Sequence, residues 1–589
     1  MDRNTIIAIV LSTIVLVIGF FVQTVFFSPQ EEILPNSFND AQDTIEDDNE
    51  SSSVRRTALE QQFLVYENDQ PSPSQREIVY TQEDFLQVVM DTRGGNIKEI
   101  VLLGHEDNGK ALQFFFGSAD ADAQGLTLTI GGIDGALLDP VFYFRESADE
   151  YEFYQDIVVP DLQEEPFQII KRYRFFENEY FFEMEIEFKN SVNQYIPMDV
   201  NGTSYTVSVG PQIGPEFTEL SNNGRTDFRR FSYFESGTGR RKDIRNLSPG
   251  ESETLKGYIP WAGVNGKYFV ALAIPGNTGA DIVFTTYPTD SGIQGNQLHL
   301  VRPKIESSRI SDVYRFYFGP KSVTELRKYE NAEDNQLGIS ELGIDKLVES
   351  SWLSWLENIL KSLMNFFYGV IPNWGVSIIL LTILVKLVLY PLTRKSFEST
   401  ARMKELAPKI EELKKTYQDD AQKLNQATME LYKKKKVNPL GGCLPMLLQF
   451  PFFIAMFSLF NNNFELRGAT FIPGWITDLS IPEAIVNFNF TIPLLNWDAL
   501  RALPIIFLVS QFFTMKLTQP ADSAQSNAQM KIMSFGLPVM FFFIMYNMPS
   551  GLLIYWIFQN IISTGQQLAY NYFTHKKAQK ESGSARSKK

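Results

Sequence analysis

Residues 377–393 have the sequence SIILLTILVKLVLYPLT, in which Lys386 is the one charged residue. An apolar run of this kind is typical of a helix that crosses a bilayer core of about 30 Å. Lys386 stands eight residues before Arg394, which places it about 12 Å inside the end of the helix at 1.5 Å per residue. Because a charge at the centre of a span costs about 2.5–3.5 kcal/mol, Lys386 is expected to face a hydrated cavity or a partner. Snorkelling of its flexible stem toward the headgroups is the alternative.

Six apolar segments predict a polytopic α-helical membrane protein. The first, residues 5–27, has no charge over 23 positions and is expected to be a retained anchor. A cleaved signal peptide is disfavoured because one basic residue precedes the run and no A-x-A site follows it. The other spans are predicted at 367–393, 439–461, 501–517, 532–549 and 550–572.

Prolines are predicted to interrupt the last four spans, and they are Pro445, Pro451, Pro504, Pro538 and Pro549. Short or interrupted spans can thin the bilayer locally. Ordinary proline kinking is the alternative.

The distribution of charge predicts the topology. The chain carries a formal charge of −16, yet its loop at 394–438 and its tail at 573–589 are basic, and its short loop at 518–531 ends in Lys531, with Lys516 just before it. Alternating spans put all three on one side, and the positive-inside rule makes that side the cytoplasm, together with residues 1–4. The protein is then expected in the inner membrane of a two-membrane bacterium, with residues 28 to about 366 in the periplasm. This split charge does not indicate specific DNA binding.

The periplasmic part is predicted to be a flexible acidic tether at 28–76 followed by an all-β domain at 77–345. The clearest strand is Tyr180–Lys189, where apolar residues alternate with Glu183, Glu185 and Glu187. With no helical pattern of convincing length between the strands, a large antiparallel sandwich is favoured. The other predicted strands are Phe85–Asp91, Ile97–Leu103, Ile169–Phe176, Tyr268–Ile274 and Val313–Phe318.

Residues 346–366 are predicted to form an amphipathic helix in the membrane interface, because Trp352, Trp355, Leu356 and Leu360 lie on one helical stripe. Packing of this helix on the β domain is the alternative. A periplasmic loop is expected at 462–500.

Several polar side chains accompany Lys386 within the spans. Thr382 lies one turn earlier on the same helical face, and the others are Gln449, Ser510, Gln511, Gln559, Ser563, Gln566 and Gln567. Their coincidence with Lys386 favours a hydrated groove. Hydrogen bonding between helices is the alternative for any one of them.

The basic loop is expected to form a helical hairpin, and its lysines and those of the tail suit ribosomal RNA or anionic lipid. These residues are Lys433, Lys434, Lys435, Lys436, Lys576, Lys577, Lys588 and Lys589. Topological charge bias alone is the alternative.

Enzyme chemistry finds little support in this chain. One Cys excludes an internal disulfide, and three His make a histidine-rich metal site implausible. Neither H-E-x-x-H nor G-x-S-x-G occurs. No catalytic residue, metal or cofactor is therefore expected.

Residues 373–393 and 437–457 resemble the bacterial YidC membrane protein insertases. Residues 90–100, 267–275, 314–321 and 549–567 support the resemblance in the same order. It implies six spans, five of which form the core, and a periplasmic domain of β-supersandwich type. It implies insertion of nascent membrane proteins, and help in their folding, alone or with the Sec translocon and its accessory subunits.

The resemblance also implies roles for particular residues. Lys386 takes the place of a groove residue that is usually Arg, which keeps the charge but not the planar fork. Substrate contact is implied near Phe450–Phe453 and Met533–Met540, and the aromatic pair of the last span is Tyr555–Trp556. A solute transporter is disfavoured because no internal repeat is found. A sugar-converting domain is disfavoured because the β region has two His, His105 and His299.

Overall fold

The computed structural model describes residues 63–66, 71–107, 110–114, 124–147, 150–159, 163–190, 196–210, 228–236, 239–244, 247–248, 250–288, 294–348, 353–417, 420–435, 437, 444–492, 495, 497–518 and 536–586. The predicted anchor at 5–27 lies outside these residues. So do Trp352, Lys436, Met533, Lys588 and Lys589.

Alternating apolar residues build three antiparallel sheets in the first half of the chain, with strands numbered along the sequence. The largest sheet has the order β1 (Leu64–Val65), β9 (Glu150–Val159), β10 (Gln163–Phe175), β11 (Phe181–Asn190), β20 (Arg309–Pro320), β17 (Phe269–Ile274), β16 (Ala262–Gly266), β13 (Arg229–Glu235) and β14 (Arg240–Ile244), and β8 (Tyr143–Ser147) pairs with β9. The second has the order β15 (Ser252–Leu255), β18 (Asp281–Pro288), β19 (Gln294–Ser307), β12 (Ile196–Ser208), β6 (Thr127–Ile130) and β7 (Ala136–Leu137). The third has the order β2 (Glu77–Gln82), β3 (Leu86–Asp91), β4 (Asn96–Asp107) and β5 (Lys110–Gln113).

The two larger sheets pack face to face, as the alternation predicted. Phe231 on β13 and Phe284 on β18 lie with ring centroids 4.5 Å apart. Phe188 on β11 and Tyr205 on β12 are 5.2 Å apart. Rings from both sheets thus meet in one buried core, and the prediction of an antiparallel sandwich is confirmed.

The acidic face of β11 is paired rather than simply solvated. Arg172 on β10 binds Glu152, Glu185 and Glu187 at 2.7, 3.0 and 2.8 Å. The antiparallel register sets Arg172 directly opposite both Glu152 and Glu185. The sequence pattern predicted the carboxylate face but not the arginine that joins its members.

The predicted tether at 28–76 is too long at its far end. Leu64–Val65 forms β1 on the edge of β9, and Tyr66 N–H donates to the Asp156 carbonyl at 2.9 Å. Edge pairing satisfies backbone groups that composition alone assigned to a flexible segment.

Nine helices lie in the described part of the second half. They are α1 (Val323–Arg327), α2 (Ser354–Val370), α3 (Trp374–Glu405), α4 (Ala407–Thr416), α5 (Ala421–Lys434), α6 (Leu444–Asn462), α7 (Ala502–Thr518), α8 (Leu537–Met545) and α9 (Ser550–Arg586). A two-stranded ribbon, β21 (Val486–Ile492) and β22 (Trp497–Leu500), lies within the predicted loop at 462–500.

Among the described residues, Trp374–Met403 of α3 is long and apolar enough to cross a membrane. Ala502–Lys516 of α7 is a shorter apolar helix. Six spans therefore stay a prediction.

Some helices begin or end at other residues than the predicted spans do, and proline and capping residues explain the start of α3. The predicted span 367–393 starts inside α2, and α3 itself begins at Trp374. Pro372 disfavours helix at Ile371, and Asn373 Oδ1 accepts from Val376 N–H at 3.0 Å, which caps α3. α9 runs to Arg586, so the predicted tail continues the helix of the last span.

Four of the five prolines named above begin helices instead of interrupting them. Pro445, Pro504 and Pro538 lie in the first turns of α6, α7 and α8, and Pro549 directly precedes α9. The first turn tolerates Pro because its N–H would have no helical partner there. Of these five, Pro451 alone lies in the interior of a helix, beyond its first turn.

The predicted apolar stripe of the amphipathic helix α2 is partly buried and partly exposed. Leu356 and Leu360 are buried in the core that α3 and α6 share, whereas Trp355 is exposed. Glu357 Oε2 accepts from Ser458 Oγ of α6 at 2.7 Å. The helix therefore packs on the helical core, not on the β domain.

Phe464 joins the helical part to the β domain. It follows α6, yet its ring packs edge-on against Phe269 at 4.8 Å, Tyr268 at 5.4 Å and His105 at 6.2 Å. Its side chain belongs to the core of the β domain. The two parts of the chain thus share a buried aromatic contact.

Candidate functional site

The centre of the site is Lys386, which α3 carries into the helical core. Lys386 is 4% exposed and lies twelve residues after Trp374, about 18 Å along the helix. Its Nζ donates to Ser563 Oγ of α9 at 2.7 Å. Among the described residues, no carboxylate forms an ion pair with it. The head is thus held inside the core by a neutral hydroxyl, and it does not reach out along the surface.

Polar side chains from three helices surround this lysine. Thr382 Oγ1 donates to the Ile378 carbonyl at 2.7 Å, which leaves its oxygen lone pairs as acceptors. Gln559 Nε2 of α9 donates to Gln449 Oε1 of α6 at 3.1 Å. Five of the predicted residues, Lys386, Thr382, Gln449, Gln559 and Ser563, therefore meet where α3, α6 and α9 converge.

The space that these residues leave is small. Its lining is Thr382, Val385, Lys386, Leu389, Gln449, Phe452, Tyr555 and Gln559, and it encloses about 10 Å³. That is room for about one water molecule. The described residues form a narrow slot with both polar and apolar walls, and the hydrogen bond between Gln449 and Gln559 joins α6 to α9 at this slot.

Ser510 and Gln511 belong to a second polar cluster. Asn560 Nδ2 donates to Ser510 Oγ at 3.0 Å and to Gln511 Oε1 at 2.8 Å, and Thr514 contacts Thr564 at 3.0 Å. These bonds join α7 to α9 on a face other than the one toward Lys386. Ser510 and Gln511 are therefore not part of the slot, and they bind two helices together.

Asn560 is a residue that sequence reasoning missed. It follows Gln559 directly in the apolar segment, and successive helical residues point to different faces. The adjacent pair Gln559–Asn560 was the available signal that α9 presents polar groups on two sides.

The remaining glutamines of α9 lie after Ser563 along the helix. Gln566 Nε2 lies 3.5 Å from the Lys386 carbonyl. Gln567 is buried and donates to Asn571 Oδ1 at 3.2 Å. Neither side chain lines the slot.

The aromatic pair of α9 has two different environments. Tyr555 is buried and lines the slot, with its ring 6.0 Å from Phe460. Trp556 lies between Phe453 at 4.8 Å and Phe507 at 5.3 Å, nearly parallel to both. Trp556 of α9 therefore packs between α6 and α7.

The other predicted contact residues lie on the outer side of α6 and α8. Phe450 is exposed, and Met540 is half-buried against the helical core. Exposure makes Phe450 the more accessible of the two.

The lysines predicted to contact the ribosome or anionic lipid are exposed wherever the structure describes their side chains. Lys433, Lys434 and Lys435 lie at the end of α5. Lys576 lies near the end of α9, with its Nζ 5.9 Å from the centre of the Tyr572 ring. The side chain of Lys577 lies outside the described residues. These lysines are available to an anionic surface.

Of the two histidines of the β domain, His299 is buried and His105 is half-buried. His299 contacts Ser208 Oγ at 2.8 Å and Thr285 Oγ1 at 2.9 Å, and burial lowers its pKa to about 4. His105 packs on Phe269 and Phe464, and burial lowers its pKa as well. Both are engaged in the core and do not line an open cleft.

Comparison with known proteins gives consistent matches over both halves. The family model for the 60Kd inner membrane protein matches residues 366–578, and that for the YidC periplasmic domain matches residues 79–363. A membrane protein insertase YidC of Treponema denticola is 37% identical over 97% of this chain and 99% of its own. The protein of the same name from Treponema pallidum is 30% identical over 96% and 98%.

A solved structure, described as an active YidC insertase with the first transmembrane domain resolved, is 18% identical. It matches with a TM-score of 0.33 over 87% of this chain and 96% of that chain.

Proposed function

This chain belongs to the YidC family of membrane protein insertases, bacterial inner membrane proteins with a periplasmic domain that are not enzymes, and we propose that it inserts nascent membrane proteins through the slot at Lys386. The slot receives the polar flank of a client segment from the cytoplasm. The segment then passes between helices into lipid, and no cofactor or covalent step takes part.

The observation that carries this proposal is a buried lysine whose partner is a neutral hydroxyl. Lys386 is held by Ser563 Oγ inside an apolar helix, and among the described residues it has no carboxylate to offset its charge. If Lys386 served only the stability of the fold, an apolar residue at this position would stabilise the protein equally well or better. A client that brings an acidic or strongly polar group supplies the missing interaction.

The energy available is adequate for transient capture. Opposite charges 4 Å apart attract by about 4 kcal/mol at an effective dielectric constant of 20. Part of this is lost as the client carboxylate leaves water. Thr382 and the amides of Gln449 and Gln559 compensate with hydrogen bonds. Weak net binding suits a site that must release its client.

Entry requires the slot to widen, because about 10 Å³ admits no peptide. The hydrogen bond between Gln449 and Gln559 joins the two helices that have to separate. A single neutral hydrogen bond contributes about 1 kcal/mol net, so a client can displace it. The apolar part of the client then gains free energy by entering lipid, at about 0.8 kcal/mol per buried CH₂ group.

The wider partners follow from the same model of action. The exposed lysines of α5 and α9 contact the ribosome or anionic lipid on the cytoplasmic side. The insertase acts alone or beside the Sec translocon and its accessory subunits, and it assists the folding of the segments it releases.

A charge series at Lys386 tests the proposal in proteoliposomes that receive a short membrane-protein nascent chain with one acidic flank. Lys386→Ala is expected to abolish most insertion, whereas Lys386→Arg is expected to preserve it because the charge is kept. Lys395→Ala is the matched control, since this exposed lysine lies nine residues later on the same helix. Full insertion by Lys386→Ala would refute a role for the charge.

A photo-crosslinker at Thr382 tests the route independently of rates. A ribosome stalled on the same nascent chain is expected to give a crosslink, and one stalled on a soluble chain is not. A folded, ribosome-bound protein without the crosslink would place the client path elsewhere.

A further inference from the structure

The ribbon β21–β22 has one face that packs on the helical core and one that does not. Tyr546 at the end of α8 stacks on Trp497 with ring centroids 3.8 Å apart. The Tyr546 hydroxyl also donates to the Ala499 carbonyl at 2.9 Å, and Ala499 is buried. β22 is therefore fixed to the end of α8 through its inward face.

The outward face is largely apolar and is left uncovered by the described residues, although Asp498, which pairs with Arg501 at 2.9 Å, also lies on it. Val486 and Leu500 pair across the ribbon, and paired residues point to the same side. Val486 is 50% exposed and Phe490 is 66% exposed. The Phe488 and Phe490 rings stack 5.6 Å apart, so they share a face. An exposed patch that joins such side chains marks an interaction surface.

This face continues into the exposed side of α7. Arg501 alone separates Leu500 from the first residue of α7, Ala502. Along α7 the exposed side chains are again apolar, namely Ile505, Ile506, Val509 and Phe513. Since α7 belongs to the membrane part of the family fold, its exposed apolar side faces lipid, and the ribbon extends that surface beyond the helix end.

We propose that the β21–β22 ribbon is a membrane-inserted element, whose apolar face binds the boundary between headgroups and acyl chains of the outer leaflet. The inference rests on the proposed topology but not on the role of Lys386. The occupant is the lipid surface itself, because the patch is continuous with the lipid-facing side of α7.

The backbone limits how deep the ribbon can lie. A two-stranded ribbon has two open edges with unpaired N–H and C=O groups, which cannot enter hydrocarbon without large cost. The interface supplies water and headgroup partners for these edges while it accepts the aromatic side chains. Trp497 and Tyr546 suit the same level, because Trp and Tyr concentrate at membrane interfaces. The ribbon therefore lies at the interface and not in the bilayer centre.

The test uses single-cysteine variants of the full chain labelled with an environment-sensitive fluorophore, in the background Cys443→Ser. Val486→Cys probes the ribbon. Val79→Cys is the matched control, because Val79 is also a strand valine with 50% exposure and lies on β2 of the β domain. Both proteins are reconstituted into vesicles of phosphatidylethanolamine and phosphatidylglycerol, with and without phosphatidylcholine brominated on its acyl chains.

The label at position 486 is expected to show blue-shifted emission, quenching by brominated lipid and protection from aqueous iodide. The label at position 79 is expected to show no blue shift, no quenching by brominated lipid and quenching by iodide. Iodide quenching at both positions would overturn the proposal, because the ribbon would then be in water. Protection from both quenchers at 486 would also overturn it, since a protein surface would then cover the face. Insertion activity of the same vesicles, measured in parallel, separates this outcome from a failure of the Lys386 mechanism.

Discussion

Replacing Phe464 by alanine is expected to release the β domain from the helical core. Phe464 is 6% exposed, and its ring is held by Phe269, Tyr268 and His105. Truncation of a buried Phe to Ala costs about 3–5 kcal/mol. At about 1.4 kcal/mol for each tenfold change, the docking equilibrium shifts by roughly two to three and a half orders of magnitude.

Among the described residues next to Phe464, polar contacts offset little of that loss. Lys361 lies 3.9 Å from Glu465, and both side chains are more than 30% exposed, so this pair contributes at most about 1 kcal/mol. Glu465 Oε2 and both amide atoms of Asn463 are buried without a hydrogen-bond partner among the described residues. The aromatic cluster therefore carries most of the docking free energy.

Pulsed electron paramagnetic resonance can measure the joint directly. Spin labels at Val79→Cys on β2 and Leu500→Cys on β22, with Cys443→Ser, report the distance between the β domain and the helical core. The parent chain is expected to give a narrow distance distribution and Phe464→Ala a broad one. Phe464→Leu is the control, because it retains most of the buried apolar volume. An equally narrow distribution for Phe464→Ala would refute the reasoning that this ring fixes the domain.

Three further changes test other parts of the structure. Arg172→Ala removes the cation that Glu152, Glu185 and Glu187 share, although Arg145 still pairs with Glu152 and Arg309 with Glu187. The lost charged hydrogen bonds should destabilise the β domain by about 1.5–3 kcal/mol, whereas Arg174→Ala, at an arginine that is 45% exposed, should cost less than about 1 kcal/mol in the same urea titration. His299 has its pKa lowered from 6.5 to about 4, so the unfolded chain takes up the proton first as pH falls. The free energy of unfolding should therefore decline by about 3 kcal/mol from pH 6.5 to 4, and His299→Phe should remove that decline when unfolding is followed by circular dichroism. Gln449→Leu breaks the bond to Gln559 and should reduce insertion of clients with polar flanks less than Lys386→Ala does. Equal or greater loss would make the amide, not the charge, the main element of the slot.

The sequence by itself determined the class of the protein and the identity of its central residue. Period-two alternation in β11 is a local property, and it predicted both the strand and the side that faces the core. Lys386 could be found for a similar reason, because one charge in an apolar run is visible without knowledge of any neighbour. The matching motifs in both halves are sufficient to indicate the family without any knowledge of the fold.

The tertiary structure decided how distant residues combine. Whether Ser510 faces Lys386 depends on how α7 is rotated about its axis, and the contact with Asn560 shows that it faces elsewhere. Phe464 is one apolar residue in a predicted loop, and nothing local indicates that it enters the core of another domain. Rotations of helices and contacts between domains depend on packing over the whole chain. Periodicity reports only the few residues around each position, so it could name the polar side chains but not assign them to the slot.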